Sequence, residues 1–238
     1  SDVQVNALYF LRRRLGKDWF KKLLSDQEQD QNELDEFIEQ GDLIKSSLGA
    51  IQRKFELFRN MKFLKEHVSD DFIEILFQKL NSGTSIVLEF GTYDNSLAAY
   101  MFVANYLTRR IHERYVSAKN KAFGKRGEDP NPLMIVIEEA HKFLTPELSQ
   151  HTIFGIIARE LRKYNVTLLV VDQRPSGIDD EVMSQIGTRV TCLLDNESDI
   201  RAVFSGVSGA GALREVLARL DTQQQALIMG HAVPMPVV

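Results

Sequence analysis

A single cysteine, Cys192, leaves no intramolecular disulfide and no cysteine-rich zinc site. No apolar run approaches the roughly 18–20 residues of a membrane span; the longest are short stretches such as 133–137 and 167–171. The five histidines, at 67, 112, 141, 151 and 231, fall at no paired metal-ligand spacing. None of the six prolines lies before residue 82, and that stretch holds three glycines, 16, 41 and 49. A first part so poor in chain breakers is predicted to be helical. There is no signal-peptide pattern, so a reducing, cytoplasmic setting is the default. A net charge of −4 argues against a protein whose whole surface binds nucleic acid.

At 238 residues, 44% hydrophobic and 26% charged, the chain has the composition of one large globular domain or two small ones. Its charge is uneven. Eight acids lie between Asp26 and Lys45, whereas seven basic residues and one acid, Glu113, lie between Arg109 and Arg126. Runs of like charge on helices are ordinarily solvated faces. Within the basic run, Arg109, Arg110 and Arg114 are the candidates for contacting a phosphate backbone.

The chain divides near Gly83. Before it, Ile44, Leu48, Ile51, Phe55 and Phe58 recur at helical spacing, as do Phe72, Ile75, Leu76 and Leu80, predicting three to five antiparallel helices over residues 1–82. After it, the texture becomes that of alternating strands and helices over 83–238. Residues 85–90 read as a short strand ended by Gly91. Leu97, Tyr100, Met101, Ala104, Leu107 and Ile111 then mark one face of a long helix. Residues 133–137 and 166–171 read as strands buried on both faces, with a helix over 153–164 between them. An apolar run at 190–194, a helix around 211–220, and strands at 226–229 and 233–238 complete the pattern. The expected class is α/β, a mainly parallel sheet flanked by helices and preceded by an all-α bundle or insertion.

In open parallel sheets, ligands bind beyond the carboxyl ends of the strands. Glu138-Glu139-Ala140-His141 follows the first buried run, and Asp172-Gln173-Arg174-Pro175-Ser176 follows the second. An apolar strand ending in two acids is the Walker B layout of nucleotide hydrolases, although acids also follow strands simply as helix N-caps. His141 reads as a group orienting that loop rather than as a metal ligand. The run SGVSGAG at 205–211 reads as a loop leading into a helix.

These runs (LMIVIEEAHKFLTP, IARELRKYNVTLLVVDQRPS and the closing ALIMGHAVPMPVV) resemble the HerA branch of the HerA/FtsK superfamily of hexameric DNA-pumping ATPases. SIVLEFGTY followed by a long helix resembles the strand that precedes Walker B there. The resemblance covers roughly residues 84–238 and implies a RecA-like P-loop NTPase fold, ATP and Mg²⁺ as cofactors, duplex DNA as partner and a homo-hexameric ring. It implies that Glu138 organises Mg²⁺ through water, that Glu139 is the catalytic base, and that Gln173 senses the γ-phosphate. Arg162, Arg159 or Arg174 would be the finger inserted into a neighbour's site, with Gln173 and Arg174 close to the nucleotide. A nuclease partner of the NurA type or a defence effector is implied as well, and a membrane is not.

One departure stands out. The phosphate-loop pattern GxxxxGK followed by Ser or Thr occurs nowhere; Gly16-Lys17 and Gly124-Lys125 lack both the upstream glycine and the following hydroxyl residue. The chain therefore reads as a fragment cut on its N-terminal side, inactive by itself. Two alternatives of other classes remain: a non-catalytic scaffold with a degenerate NTPase fold, and a related secretion or conjugation motor.

Overall fold

The computed structural model describes residues 2–59, 61, 71–90, 96–149, 152–207 and 209–238, with the backbone alone at 159–162. The chain forms two compact units, Ser1–Asp70 and Asp71–Val238. The first contains α1 (Asp2–Leu15), α2 (Trp19–Leu24), α3 (Glu28–Glu39) and α4 (Lys45–Arg59). Leu11, Leu23, Leu34, Leu48 and Ile51 form the apolar interior of this unit. Of the helical stripe predicted through Ile44, Leu48 and Ile51 are buried, whereas Ile44 itself is exposed. The acidic run lies along α3 and its flanks as a mostly solvated face; Lys22 pairs with Glu33 at 2.5 Å and Arg59 grips Asp26 through two 3.0 Å hydrogen bonds.

The second unit begins with α5 (Phe72–Asn81) and α6 (Leu97–Phe123), so α5, which spacing groups with the helical first part, packs here. The Asp71 carboxylate caps α5 by accepting from the Glu74 N–H, and the Ser96 hydroxyl caps α6 by accepting from the Ala99 N–H. Tyr100, Met101, Ala104, Leu107 and Ile111 of α6 face the core as their spacing predicts, while Leu97 is exposed. The buried stripe of α5 runs through Ile73, Leu76, Phe77 and Leu80; Phe72 and Ile75, which spacing predicts as core, are exposed.

Residues 84–90 form no strand, contrary to expectation. Among the described residues no hydrogen bond pairs this backbone with another strand, and Val87 is 91% exposed. A β-type composition makes a strand only where a neighbouring edge accepts its N–H and C=O groups. The Phe90 ring does pack against Tyr100, with centroids 4.5 Å apart.

The chain continues through β1 (Leu133–Glu138), α7 (Pro146–Ser149), α8 (Ile153–Glu160), β2 (Val166–Val171), α9 (Asp180–Gln185), β3 (Thr188–Thr191), α10 (Glu197–Val203), α11 (Ala210–Leu217) and β4 (Leu227–Gly230). β1 and β2 are parallel, in register from Leu133 opposite Val166 to Glu138 opposite Val171. Leu133, Ile135 and Ile137 alternate inward and, with Val166, Leu168 and Val170, pack on a core that includes Tyr115, Phe154 and Ile157. The other face, with Met134, Val136, Leu169 and Val171, is exposed, so the two strands are buried on one face and not on both.

The sheet is also smaller than expected. The described strands form two separate pairs, β1 with β2 and an antiparallel β3 with β4. The strand predicted at 190–194 is shifted to Thr188–Thr191. The one predicted at 233–238 reduces to a bridge between Val237 and Ile228. Arg189 on β3 is buried, has no carboxylate partner among the described residues, and donates to the carbonyls of Met183 (2.5 Å) and Val203; burial lowers its pKa. These bonds tie α9 and α10 to the second pair, over a core of Val203, Phe204, Leu217, Leu227 and Met229. The architecture is helix-rich α/β.

Two asparagines close the excursion that carries α6. The Asn131 backbone N–H donates to Asn81 Oδ1 at 2.8 Å and Asn131 Nδ2 donates to the Asn81 carbonyl at 2.6 Å. Asn165 Nδ2 donates to the Pro130 carbonyl at 3.1 Å, fixing the same loop against the entry to β2.

Candidate functional site at the carboxyl ends of β1 and β2

Because β1 and β2 run parallel and in register, their last residues reach one edge together. Glu138 ends β1 with an exposed side chain. Glu139 then takes left-handed backbone angles, φ 51° and ψ 46°, and a short 3₁₀ turn, Ala140–Lys142, comes next. The left-handed conformation crowds the Cβ of any residue but glycine and costs roughly 1–2 kcal/mol. Burial of Ala140, Phe143 and Leu144 in the core holds the turn in place.

Asp172, directly after β2, is the hub of the edge. Its side chain is 4% exposed. Oδ2 accepts from the His141 backbone N–H at 2.7 Å, and Oδ1 accepts from the Arg174 backbone N–H at 2.5 Å. Both oxygens also lie within reach of His141 Nδ1, at 2.9 and 3.1 Å. A carboxylate only accepts, so the shared proton belongs to Nδ1. The other ring nitrogen, Nε2, faces Glu139 Oε2 across 3.7 Å. The loop after Asp172 is held further on, where the Ser176 N–H donates to the buried Asp199 carboxylate at 2.9 Å. Gly177 belongs to the same turn; a Cβ there would meet His141 Cβ at 3.1 Å, so the turn presses directly on the histidine.

Tyr100 of α6 completes the surroundings. Its phenol pKa is raised, first by burial and then by the nearby negative charges of Glu138 and Glu139. Its ring stacks obliquely on Phe143, with centroids 4.7 Å apart.

The edge thus brings Glu138, Glu139, His141 and Asp172 together, with Tyr100 beside the two acids. Gln173 and Arg174 follow Asp172 with exposed side chains. Arg159 lies on α8 and Arg162 in the 3₁₀ turn after it, but their side chains fall outside what is described. His151 and His67 also lie outside the described residues. In the basic run, Arg110 pairs with Glu113 at 2.7 Å, Arg114 with Asp71 at 3.1 Å and Glu74 at 3.3 Å, and Lys119 with Asp129 at 2.6 Å. Arg109 is half-buried. Sequence reasoning gives roles to Gln173 and Arg174 and none to Asp172, although Asp172 stands just past its strand, the kind of position that singles out Glu138. Tyr100 reads in sequence as part of a core stripe, with no sign of its acidic neighbours.

Among the described residues no group of three or more His, Cys, Asp or Glu could cage a metal. The exposed Glu138 carboxylate suits a hard cation that keeps most of its water and takes one or two protein oxygens, the habit of Mg²⁺. Asp172, saturated by N–H donors, is not available to such an ion. Among the described residues no helix is long and apolar enough to cross a membrane.

No model of a known protein family matches the chain. Three curated proteins, each named DNA double-strand break repair helicase HerA, do. The one from Saccharolobus solfataricus is 31% identical over 211 residues, 86% of this chain and 40% of that protein. Those from Sulfolobus acidocaldarius and Sulfurisphaera tokodaii are 30% and 32% identical, over 79% and 67% of this chain and 38% and 32% of theirs. The chain therefore spans about two fifths or less of the length of the relatives it matches.

Proposed function

The chain belongs with the HerA-like proteins, and from that premise we propose that it is part of an ATP-driven DNA translocase or helicase acting as a homo-hexamer on duplex DNA. Its share of the ATP site is the Walker B and sensor edge of residues 83–238, with 1–82 as a helical insertion. The observation that carries this reading is the joint delivery of Glu138, Glu139 and Asp172-Gln173 to one sheet edge by two parallel strands in register.

In this reading Glu138 would hold Mg²⁺ through the ion's water shell, and the ion, bound together with ATP, would supply charge neutralisation on the phosphates. Glu139 accepts a hydrogen bond from the attacking water and aims it. Gln173, at the tip of the second strand, hydrogen-bonds the terminal phosphate. Arg162, Arg159 or Arg174 reaches across a subunit boundary to stabilise charge developing in the transition state. The phosphate cradle comes from sequence other than these 238 residues, which lack the P-loop pattern. Arg109, Arg110 and Arg114 face DNA phosphates. The assembly works in the cytoplasm with a nuclease of the NurA type or a defence effector.

The test is ATP turnover by the natural full-length protein, with and without duplex DNA, beside its Glu139→Gln variant. DNA-stimulated turnover that disappears in the variant supports the reading. Turnover absent from the unaltered protein, with its ring still formed, overturns it in favour of a scaffold.

A further inference from the structure

His141 stands between two carboxylates that treat its ring differently. Asp172 is 4% exposed and takes three donors: the His141 backbone N–H, the Arg174 backbone N–H and ring Nδ1. Glu139 is far more exposed, at 44%, and its Oε2 lies 3.7 Å from Nε2, too far for a hydrogen bond. The His141 backbone bond and the two Nδ1 contacts hold the residue and its ring against the Asp172 carboxylate.

We propose that Asp172 is a positioning residue for Glu139, acting through His141. By accepting from Nδ1 it fixes the tautomer in which Nε2 carries no proton. The ring then turns an acceptor, not a donor, toward Glu139, and the Glu139 oxygens stay free to accept from water. In the opposite tautomer an Nε2–H would face Glu139 Oε2, and a small turn of the exposed Glu139 side chain would close the 3.7 Å gap into a hydrogen bond that occupies the lone pair the water needs. The same aspartate holds the Arg174 N–H, so the loop carrying Gln173 and the loop carrying Glu139 are fastened to one side chain. The role in turnover rests on the ATPase reading above; the tautomer does not.

Two measurements separate the two. The first is ¹⁵N NMR of the imidazole rings of this chain at neutral pH. The expected His141 ring has its proton on Nδ1 and a bare Nε2, and Asp172→Asn loses that preference. A ring protonated on Nε2, or on both nitrogens, overturns the proposal, as does a tautomer unchanged in Asp172→Asn. The second is steady-state ATP hydrolysis by the natural full-length protein. Partners that orient metal-ligating residues typically carry a 10–100-fold effect; on that scale, carried over to a partner that orients the base, Asp172→Asn should lower kcat about 10–100-fold with KM for ATP changed by less than about twofold.

If Asp172→Asn does not fold, two histidine variants keep the aspartate intact. His141→Asn places an amide donor near the Nδ1 position and nothing opposite Glu139. His141→Gln extends an amide toward the Nε2 position, where it donates to Glu139. The asparagine variant should therefore retain the higher kcat, and equal or reversed values overturn the proposal. Turnover abolished by Glu139→Gln but untouched by Asp172→Asn also overturns it, while leaving the ATPase reading standing. An unaltered protein without turnover overturns the ATPase reading, and with it the role assigned to Asp172.

Discussion

Replacing Glu139 by glycine should remove the carboxylate of the β1 edge and stabilise the fold at the same time. At φ 51° and ψ 46°, Glu139 carries the left-handed penalty of any residue with a Cβ, roughly 1–2 kcal/mol. Glycine escapes that penalty but gives back about 0.5–1 kcal/mol through its freer unfolded chain. Side-chain loss is controlled for by comparing Glu139→Gly with Glu139→Ala, since both abandon the 3.7 Å approach to His141 and alanine alone keeps the Cβ. The net expectation is a glycine variant about 0.5–1 kcal/mol more stable than the alanine variant. For a unit of the size of Asp71–Val238, that is a rise in Tm of roughly 1–4 °C. Urea and thermal unfolding of the two variants, followed by near-ultraviolet circular dichroism, measure it. A glycine variant no more stable than the alanine variant would refute the claim that the turn stores strain at the proposed base. Such strain is the expected cost of aiming a working residue from a sharp turn.

Three further outcomes are expected. Gly155→Ala would drive a Cβ to within 1.9 Å of the Ser149 carbonyl oxygen, which backbone shifts must absorb at about 3 kcal/mol or more; a melting temperature within 2 °C, by the scale of roughly 2–4 °C per kcal/mol, of the unaltered chain would contradict the packing of α7 on α8. The Tyr100 phenol keeps its proton longer in the folded than in the unfolded state, whose value is near 10.0, so its stabilising contribution is complete below that pH and is lost as pH rises through the folded value. In a Glu138→Gln, Glu139→Gln double variant, ¹³C NMR should show its midpoint lowered yet still above the ordinary one, because burial is the larger cause. Replacing Arg109, Arg110 and Arg114 with glutamine should lower the salt slope of DNA binding by about 0.9 per lost phosphate contact. The exposed pairs of Arg110 and Arg114 should then cost less than about 1 kcal/mol of stability each; an unchanged slope returns the strip to an ordinary solvated face.

Much of the second unit is readable from local pattern. Uninterrupted apolar runs of β-branched and aliphatic residues announce β1 and β2, although only one face of the pair is buried. The 3.6-residue stripe announces α6. The features that escape a sequence reading depend on partners far along the chain. Residues 85–90 have strand composition but, among the described residues, no paired edge, and composition does not say whether an edge exists. The exposed face of β1 and β2 has the same apolar character as the buried one, so Met134 and Val136 look like core in sequence. Within the site, the two acids are visible as the end of a strand, while Asp172 is joined to His141 across 31 positions. An aspartate beginning a turn reads as local capping, and nothing local distinguishes a carboxylate that accepts from a neighbouring loop. Likewise, Tyr100 is one member of a helical stripe until the fold brings the β1 acids beside it.

The asparagine clasp at the base of α6 offers a practical opening. Residues 124–129 are exposed, and each side of this short loop is anchored: Lys119 to Asp129 on one side, Asn131 to Asn81 and Pro130 to Asn165 on the other. Added length at residues 124–128 is therefore absorbed before it reaches the first residue of β1, and the register of β1 with β2 is insulated from it. That makes the loop a port for a fluorophore, a peptide tag or a small inserted domain. A reporter placed there would sit beside the basic strip, free to register what approaches it, while the acids at the far end of β1 keep their alignment.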